Sequence, residues 1–296
     1  MKIKNVKIAA VIGAGTMGRQ IAMNTLLNGR EYGYRVFLCD SYASAVKSAA
    51  KWAEEYLESR VTKGRITREV KEELLSRLAI TSNVDEAVKD ADLVIEAVIE
   101  KLEVKKDLFS RISRIVEPDT ILGTNSSNIV SSKIADCVDH PERLMNIHYF
   151  NPALVMKLVE IIRGPHTGNE AIESAKEFAE HTGKAPIIIQ KEVPGFVVNR
   201  INAAVANEAC SLLANGVASI EDIDKACELG LNYPMGPFRL MDLTGIDVNY
   251  YVRLDRYADS HDERDKPSPV VVEKFKKGEF GRKTGKGWYD YSEIKK

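Results

Sequence analysis

Two residues of this chain could move a proton together. His148 closes the strand-like run MNIH, and Glu160 follows twelve residues later in MKLVEII. Between them Asn151-Pro152 reads as a turn on which the chain reverses, so two adjacent strands would set the carboxylate beside the imidazole. A histidine paired in this way is a general acid–base near neutral pH. The carboxylate fixes the ring tautomer and stabilises the imidazolium. Oxidising an alcohol needs such a base for the hydroxyl proton while a separate acceptor takes the hydride. The same two residues also fit a satisfied core histidine beside a surface glutamate. His140, His166, His181 and His261 fall in polar turns or helix ends and read as structural.

Two further stretches carry polar groups that could bond a substrate oxygen. Thr124-Asn125-Ser126-Ser127-Asn128 follows a strand ending at Gly123, at the edge where ligands bind in open α/β sheets. The alternative is an N-capping loop for the segment beyond. Asn199 sits among apolar neighbours in PGFVVNR, as either a packing hydrogen bond or a substrate contact.

The redox partner is suggested by residues 7–18, KIAAVIGAGTMG. An apolar strand, Ile8 to Ile12, closes on Gly13-x-Gly15-x-x-Gly18. Gly13 permits the tight turn, Gly15 lets a pyrophosphate approach the backbone, and Gly18 lets the next helix pack on the strand. That helix should start near Thr16 and Met17 and point its N-terminal N–H groups at the phosphates. A second strand, Arg35–Cys39, ends in Asp40, whose carboxylate can accept the adenosine ribose hydroxyls and repel a 2′-phosphate. This predicts NAD rather than NADP. The usual gap to this acid is about 20 residues. Here Asn28–Tyr34 lengthens it, as an inserted polar turn.

The elements that must position these groups alternate. Strands are expected at Lys7–Ile12, Arg35–Cys39, Leu78–Thr81, Leu93–Val98, Thr120–Gly123, Leu144–His148, Leu158–Ile162 and Ala185–Ile189, mostly separated by helical stretches. That is a doubly wound α/β pattern. Ala43 to about Lys63 and Thr67–Arg77 form a helix pair between strands 2 and 3, expected to project as a substrate wall. After Ile189 the chain turns helical. Pro194-Gly195 opens a helix over Phe196–Asn215, another starts at Ser219, and two or three more follow, with a strand-like tail only at Trp288–Tyr291. The expected boundary lies near residue 190.

Composition agrees with a globular enzyme. The chain has 296 residues, against about 100–200 for one average domain. It is 44% hydrophobic and 29% charged, with a net charge of −1, which gives no electrostatic case for nucleic acid or an anionic membrane. Cys39, Cys137, Cys210 and Cys227 form no CxxC pair and read as reduced thiols of a cytoplasmic protein. MKIKNVKIAA leads straight into the first strand, so neither a signal peptide nor a membrane span is expected. No HExxH or paired His/Cys spacing suggests a metal.

Taken together, GAGTMG (13–18), DLVIEAVIE (92–100), TNSSN (124–128), HYFNPALVMKLVE (148–160), PGFVVNR (194–200), YPMGPF (233–238) and GRKTGKGWYDY (281–291) resemble the 3-hydroxyacyl-CoA dehydrogenase family across nearly the whole chain. The resemblance implies a Rossmann-type NAD-binding domain (1–190) and an all-helical substrate and dimerisation domain (191–296), assembled as a homodimer. It implies reversible oxidation of an (S)-3-hydroxyacyl-CoA, short-chain 3-hydroxybutyryl-CoA in the bacterial members, to the 3-oxoacyl-CoA. In it His148 matches the catalytic base and Glu160 its partner. Ser127 and Asn199 match the groups around the reacting oxygen. Asp40, Glu100, Lys105 and Asn125 match cofactor contacts, Lys283 a tail lysine near the nucleotide, and Lys63 a lysine near the CoA phosphates.

Two features depart from the pattern. TNSSN replaces the commoner NTSS followed by an apolar residue, and the insertion at Gly29–Tyr34 is uncommon. Other readings therefore stay open. Relatives of this architecture oxidise free hydroxy acids, carnitine or sugar acids such as L-gulonate, and Lys47, Lys51 and Lys71 on the helix pair fit a solvated face as well as a CoA site. A non-catalytic NAD-binding protein is a third reading, against which the intact His148, Glu160, Ser127 and Asn199 argue.

Overall fold

The computed structural model describes residues 5–293. Its chain divides into two compact units between Phe196 and Val197.

The first unit is built on one eight-stranded sheet. Its strands are β1 (Ile8–Ile12), β2 (Arg35–Cys39), β3 (Leu78–Thr81), β4 (Leu93–Glu96), β5 (Ile121–Thr124), β6 (Leu144–Tyr149), β7 (Leu158–Ile162) and β8 (Ala185–Ile189). They lie in the order β3-β2-β1-β4-β5-β6-β7-β8, all neighbours parallel except β6 and β7. The chain therefore runs out from β1 to one edge and returns to build the other. This is the doubly wound arrangement, with a crevice at the strands' C-terminal ends. Its helices are α1 (Thr16–Asn28), α2 (Ala43–Thr62), α3 (Arg68–Ser76), α4 (Val84–Val88), α5 (Leu102–Ser113) and α6 (Asn169–His181).

Side-chain alternation splits the core into two layers. Ala9, Val11, Val36, Leu38, Ile147 and Val159 join one cluster with residues of α1, α2 and α6. Ala10, Ile12, Cys39, Val94, Leu122 and Leu144 join the other with α4 and α5. Most strand residues are thus apolar, as expected when both faces of a parallel sheet are covered.

β1 begins at Ile8 and β5 spans Ile121–Thr124, each one residue off the expected bounds, and further differences have physical reasons. β4 stops at Glu96 rather than Val98, because the Glu96 carboxylate accepts from the Val98 N–H and ends the ladder. β6 runs one residue past His148 to Tyr149, so the histidine lies within the ladder. The inserted Asn28–Tyr34 segment is a single 3₁₀ turn, Arg30–Tyr32, and it is not wholly polar. Tyr34 is buried against Phe178 and bonds His181, on which Tyr32 stacks.

The second unit is helical: α7 (Val198–Ala214), α8 (Ile220–Gly230), α9 (Pro237–Thr244), α10 (Ile246–Ser260) and α11 (Pro269–Lys276). Its core gathers Ala206, Cys210, Ile223, Phe238, Met241, Ile246, Val271 and Trp288. The Trp288–Tyr291 tail is not a strand. Only isolated bridges at Gly281–Lys286 and Lys286–Asp290 form there, and the tail is held by the buried Asp242 carboxylate, which accepts from Trp288 N, Tyr289 N and Tyr291 Oη. α7 begins at Val198 rather than Phe196, since Phe196 has φ 48° and cannot enter a right-handed helix.

Candidate active site

The antiparallel pairing of β6 with β7 sets His148 directly opposite Glu160. Directly paired residues share one face of a sheet at close range. The His148 Nδ1 accordingly lies 2.8 Å from Glu160 Oε2. Both are buried, His148 at 4% exposure and Glu160 at 0%. A surface glutamate is therefore excluded. An ionised carboxylate only accepts, so Nδ1 carries the proton and Nε2 is left with a lone pair. That nitrogen lies 2.9 Å from Ser127 Oγ. Phe150 and Phe196 flank the ring, with centroids 4.7 and 5.3 Å away.

The loop after β5 is held in place by residues that sequence reasoning passed over. Asn146, buried in β6 two positions before the histidine, accepts from Ser131 N and donates to Ser126 O and Ile129 O. Glu96, fully buried at the end of β4, accepts from Thr124 Oγ1 at 2.6 Å and from Lys105 Nζ at 2.6 Å. The only signal for either was a polar residue inside an apolar strand run, MNIHY and LVIEAV.

Of the other anticipated residues of this unit, Asn125, Glu100 and Lys105 gather around the same loop, and Lys63 does not. Asn125 Oδ1 accepts from Tyr149 N, tying the loop to the end of β6. Glu100 accepts from Ser126 Oγ and lies 3.2 Å from Lys105 Nζ. Lys105 is 1% exposed between two carboxylates, so its charge is already matched within the protein. Lys63 caps the C-terminus of α2 and is exposed. Lys71 is not on a solvated face. It is buried with Nζ 2.5 and 2.6 Å from Glu54 and Glu58. Asn199 and Lys283 belong to the second unit. Asn199 lies half-buried on the first turn of α7, and Lys283 donates to Asp247 at 2.6 Å.

The glycine loop has the form a dinucleotide requires. Gly13 has φ 108°, and a Cβ there would collide with Ala97 O, so no other residue fits. Around Gly15 a Cβ would meet nothing within 4 Å, which leaves the backbone open to a ligand. Gly15 is also the N-cap of α1, and no side chain caps the first-turn N–H groups of that helix. Asp40 accepts from Ala14 N at 2.8 Å and from Tyr42 N at 3.0 Å. Each of its oxygens keeps a second lone pair for a ribose hydroxyl. Among the described residues no cluster of three or more metal-ligating side chains occurs, and no helix is long and apolar enough to cross a membrane.

Comparison with known proteins agrees with this architecture. Residues 8–193 match the 3-hydroxyacyl-CoA dehydrogenase NAD-binding domain, and residues 195–291 the C-terminal domain of the same family. A 3-hydroxybutyryl-CoA dehydrogenase of Clostridioides difficile is 38% identical over 96% of this chain and 99% of its own length. A 3-hydroxyadipyl-CoA dehydrogenase of Escherichia coli is 41% identical over 97% of this chain and 59% of its own length. The crystal structure of (S)-3-hydroxybutyryl-CoA dehydrogenase from Ralstonia eutropha superposes with a TM-score of 0.90 at 34% identity, covering 98% of this chain and all of that one. Fold, glycine loop and family match together define an NAD-dependent oxidoreductase. More particularly, the chain belongs to the 3-hydroxyacyl-CoA dehydrogenase family.

Proposed function

We propose that this protein interconverts (S)-3-hydroxyacyl-CoA thioesters, short ones such as 3-hydroxybutyryl-CoA among them, and their 3-oxoacyl counterparts. The observation that carries the reading is the chain Glu160–His148–Ser127, in which the outward imidazole nitrogen meets a hydroxyl at 2.9 Å. Bound NAD supplies the hydride acceptor. His148 Nε2 takes the proton of the substrate's 3-hydroxyl during oxidation and returns it to the ketone oxygen during reduction. Glu160 stays ionised, keeps the proton on Nδ1 and stabilises the imidazolium. Ser127 Oγ donates to the same substrate oxygen.

Asn199 joins Ser127 as the second hydrogen-bonding group, a role that rests on its motif. Gly13, Gly15, Thr16, Met17 and Gly18 cradle the pyrophosphate. Asp40 takes the ribose, while Glu100 and Asn125 shape the nicotinamide end of the site. Lys105 holds Glu100 there. Lys283 and Lys63 supply charge to the nucleotide and the CoA phosphates. On this reading residues 1–190 bind the cofactor and residues 191–296 serve substrate binding and dimerisation. Leu229, Leu231, Val217 and Tyr251, large apolar side chains exposed on the helical unit, support a homodimer. The four unpaired cysteines support a cytoplasmic location.

The test is NADH consumption by purified protein with acetoacetyl-CoA, run beside free acetoacetate. Turnover of the thioester alone is the expected result. Turnover of the free acid alone would move the substrate class to hydroxy acids and implicate the polar TNSSN loop.

A further inference from the structure

Phe196 is buried and held at φ 48°. A bulky residue in this left-handed region is a true outlier, and it persists only where its surroundings over-determine it. A glycine would take the same angle without strain. The ring itself is therefore what the position supplies, and the residues that hold it can be read directly.

Packing and hydrogen bonds together fix the segment that carries it. The ring packs with Val130, Ile162 and Ile189 in a small separate core. Phe196 N donates to Val193 O at 2.9 Å, and Gly195 N donates to Ser127 O at 3.0 Å. Glu192 Oε1 accepts from Ser131 Oγ at 2.7 Å and from Ser132 N at 3.0 Å. His166 Nε2 lies 3.4 Å from the same Ser131 Oγ. The segment thus grips the 127–132 loop at both of its ends. Both grips lead to the reacting groups, since Ser127 presents its Oγ to His148 Nε2 and the Phe196 ring lies 5.3 Å from the imidazole at 59°.

We propose that residues 192–196 form a strained clasp that sets the His148 ring and the Ser127 loop for proton transfer. Glu192 is its anchor and Phe196 its contact with the imidazole, and both are positioning residues. A segment that only joined two units would need neither the buried ring nor the carboxylate anchor. The inference rests on His148 and Ser127 being the reacting groups. That reading is tested separately by turnover of the native protein and of His148→Ala.

The experiment compares Glu192→Ala, Glu192→Gln and Phe196→Leu. A displaced reacting group costs rate rather than cofactor affinity, so Glu192→Ala and Phe196→Leu should lose about 10-fold or more in kcat. Their KM for NADH should stay near the native value, and their thermal midpoints should fall by a few degrees only, leaving both variants folded at the assay temperature. Glutamine keeps an acceptor oxygen for Ser132 N and should restore most of the rate. Unchanged kcat in both Glu192→Ala and Phe196→Leu would overturn the clasp, as would a glutamine variant no better than alanine. So would a loss of rate matched by an equal loss of NADH-binding sites. If His148→Ala keeps native turnover, the underlying assignment of the base fails instead.

Discussion

Buried carboxylates occur in both units, and they are put to different uses. In the helical unit Asp242 accepts from Trp288 N, Tyr289 N and Tyr291 Oη, while Asp224 accepts from Phe238 N, Arg239 N and Tyr289 Oη. These donors are backbone amides and phenols. Burial and Asp224 push the Tyr289 hydroxyl well above the usual phenol range, so it remains a donor. Nothing in that cluster can give up a proton near neutral pH. Glu160 is equally buried, but it faces an imidazole whose second nitrogen opens onto a serine. Burial of an acid alone therefore does not distinguish the two regions. The proton-carrying capacity of its partner does. The two aspartates also explain why YPMGPF and WYDY stand out in the sequence: their backbones close the second unit's core around Asp224 and Asp242.

The contrast is sharpest under substitution. Replacing His148 with alanine should remove the general base and lower kcat by about 10³–10⁴-fold, within the usual range for such groups. NADH binding, read by fluorescence titration, should persist, and turnover within a few-fold of native would break the assignment. Glu160→Gln comes next. The amide can still hold the ring but cannot stabilise the imidazolium, so kcat should fall by about 10²-fold with the fold intact. Asp242→Ala should show the opposite profile. It orphans three donors, at about 1–3 kcal/mol each where they stay buried, so urea unfolding should reveal a large loss of stability. The fraction that stays folded should turn over at the native rate. If Glu160→Gln lost stability and Asp242→Ala lost only rate, the division between the two regions would be wrong.

Much of this was legible in the sequence because local chemistry set it. Apolar runs bounded by turn residues gave the eight strands, and the Asn151-Pro152 turn brought His148 and Glu160 into register. What stayed hidden depends on contacts between distant residues. Asn146 reads as an ordinary strand residue until its amide is seen spanning Ser126, Ile129 and Ser131. Lys71 reads as a surface lysine on a helix, and only the pairing of α3 with α2 buries it between Glu54 and Glu58. α7 starts two residues later than the Pro-Gly signal implies because that signal is local, whereas the backbone angle that excludes Phe196 from the helix is held by Val130, Ile162 and the Ser127 loop.

Asp40 belongs to neither extreme, and it gives the smallest and most discriminating test. Like Asp242 it accepts backbone N–H groups, from Ala14 and Tyr42; like Glu160 it is read as facing a ligand. The two roles separate by substitution. If the charge serves only the scaffold, Asp40→Asn and Asp40→Ala should weaken NADH and NADPH alike, because both loosen the glycine loop. If it also screens the ribose, removing the charge lifts the repulsion of a 2′-phosphate. The preference for NADH over NADPH, measured as a ratio of kcat/KM values, should then fall by about 10-fold, the scale of one charge-assisted hydrogen bond. Asparagine keeps one of the two acceptors that hold the loop, so it should show this change with less loss of NADH affinity than alanine. A ratio unchanged in both variants would place Asp40 with Asp242, as a scaffold acid alone.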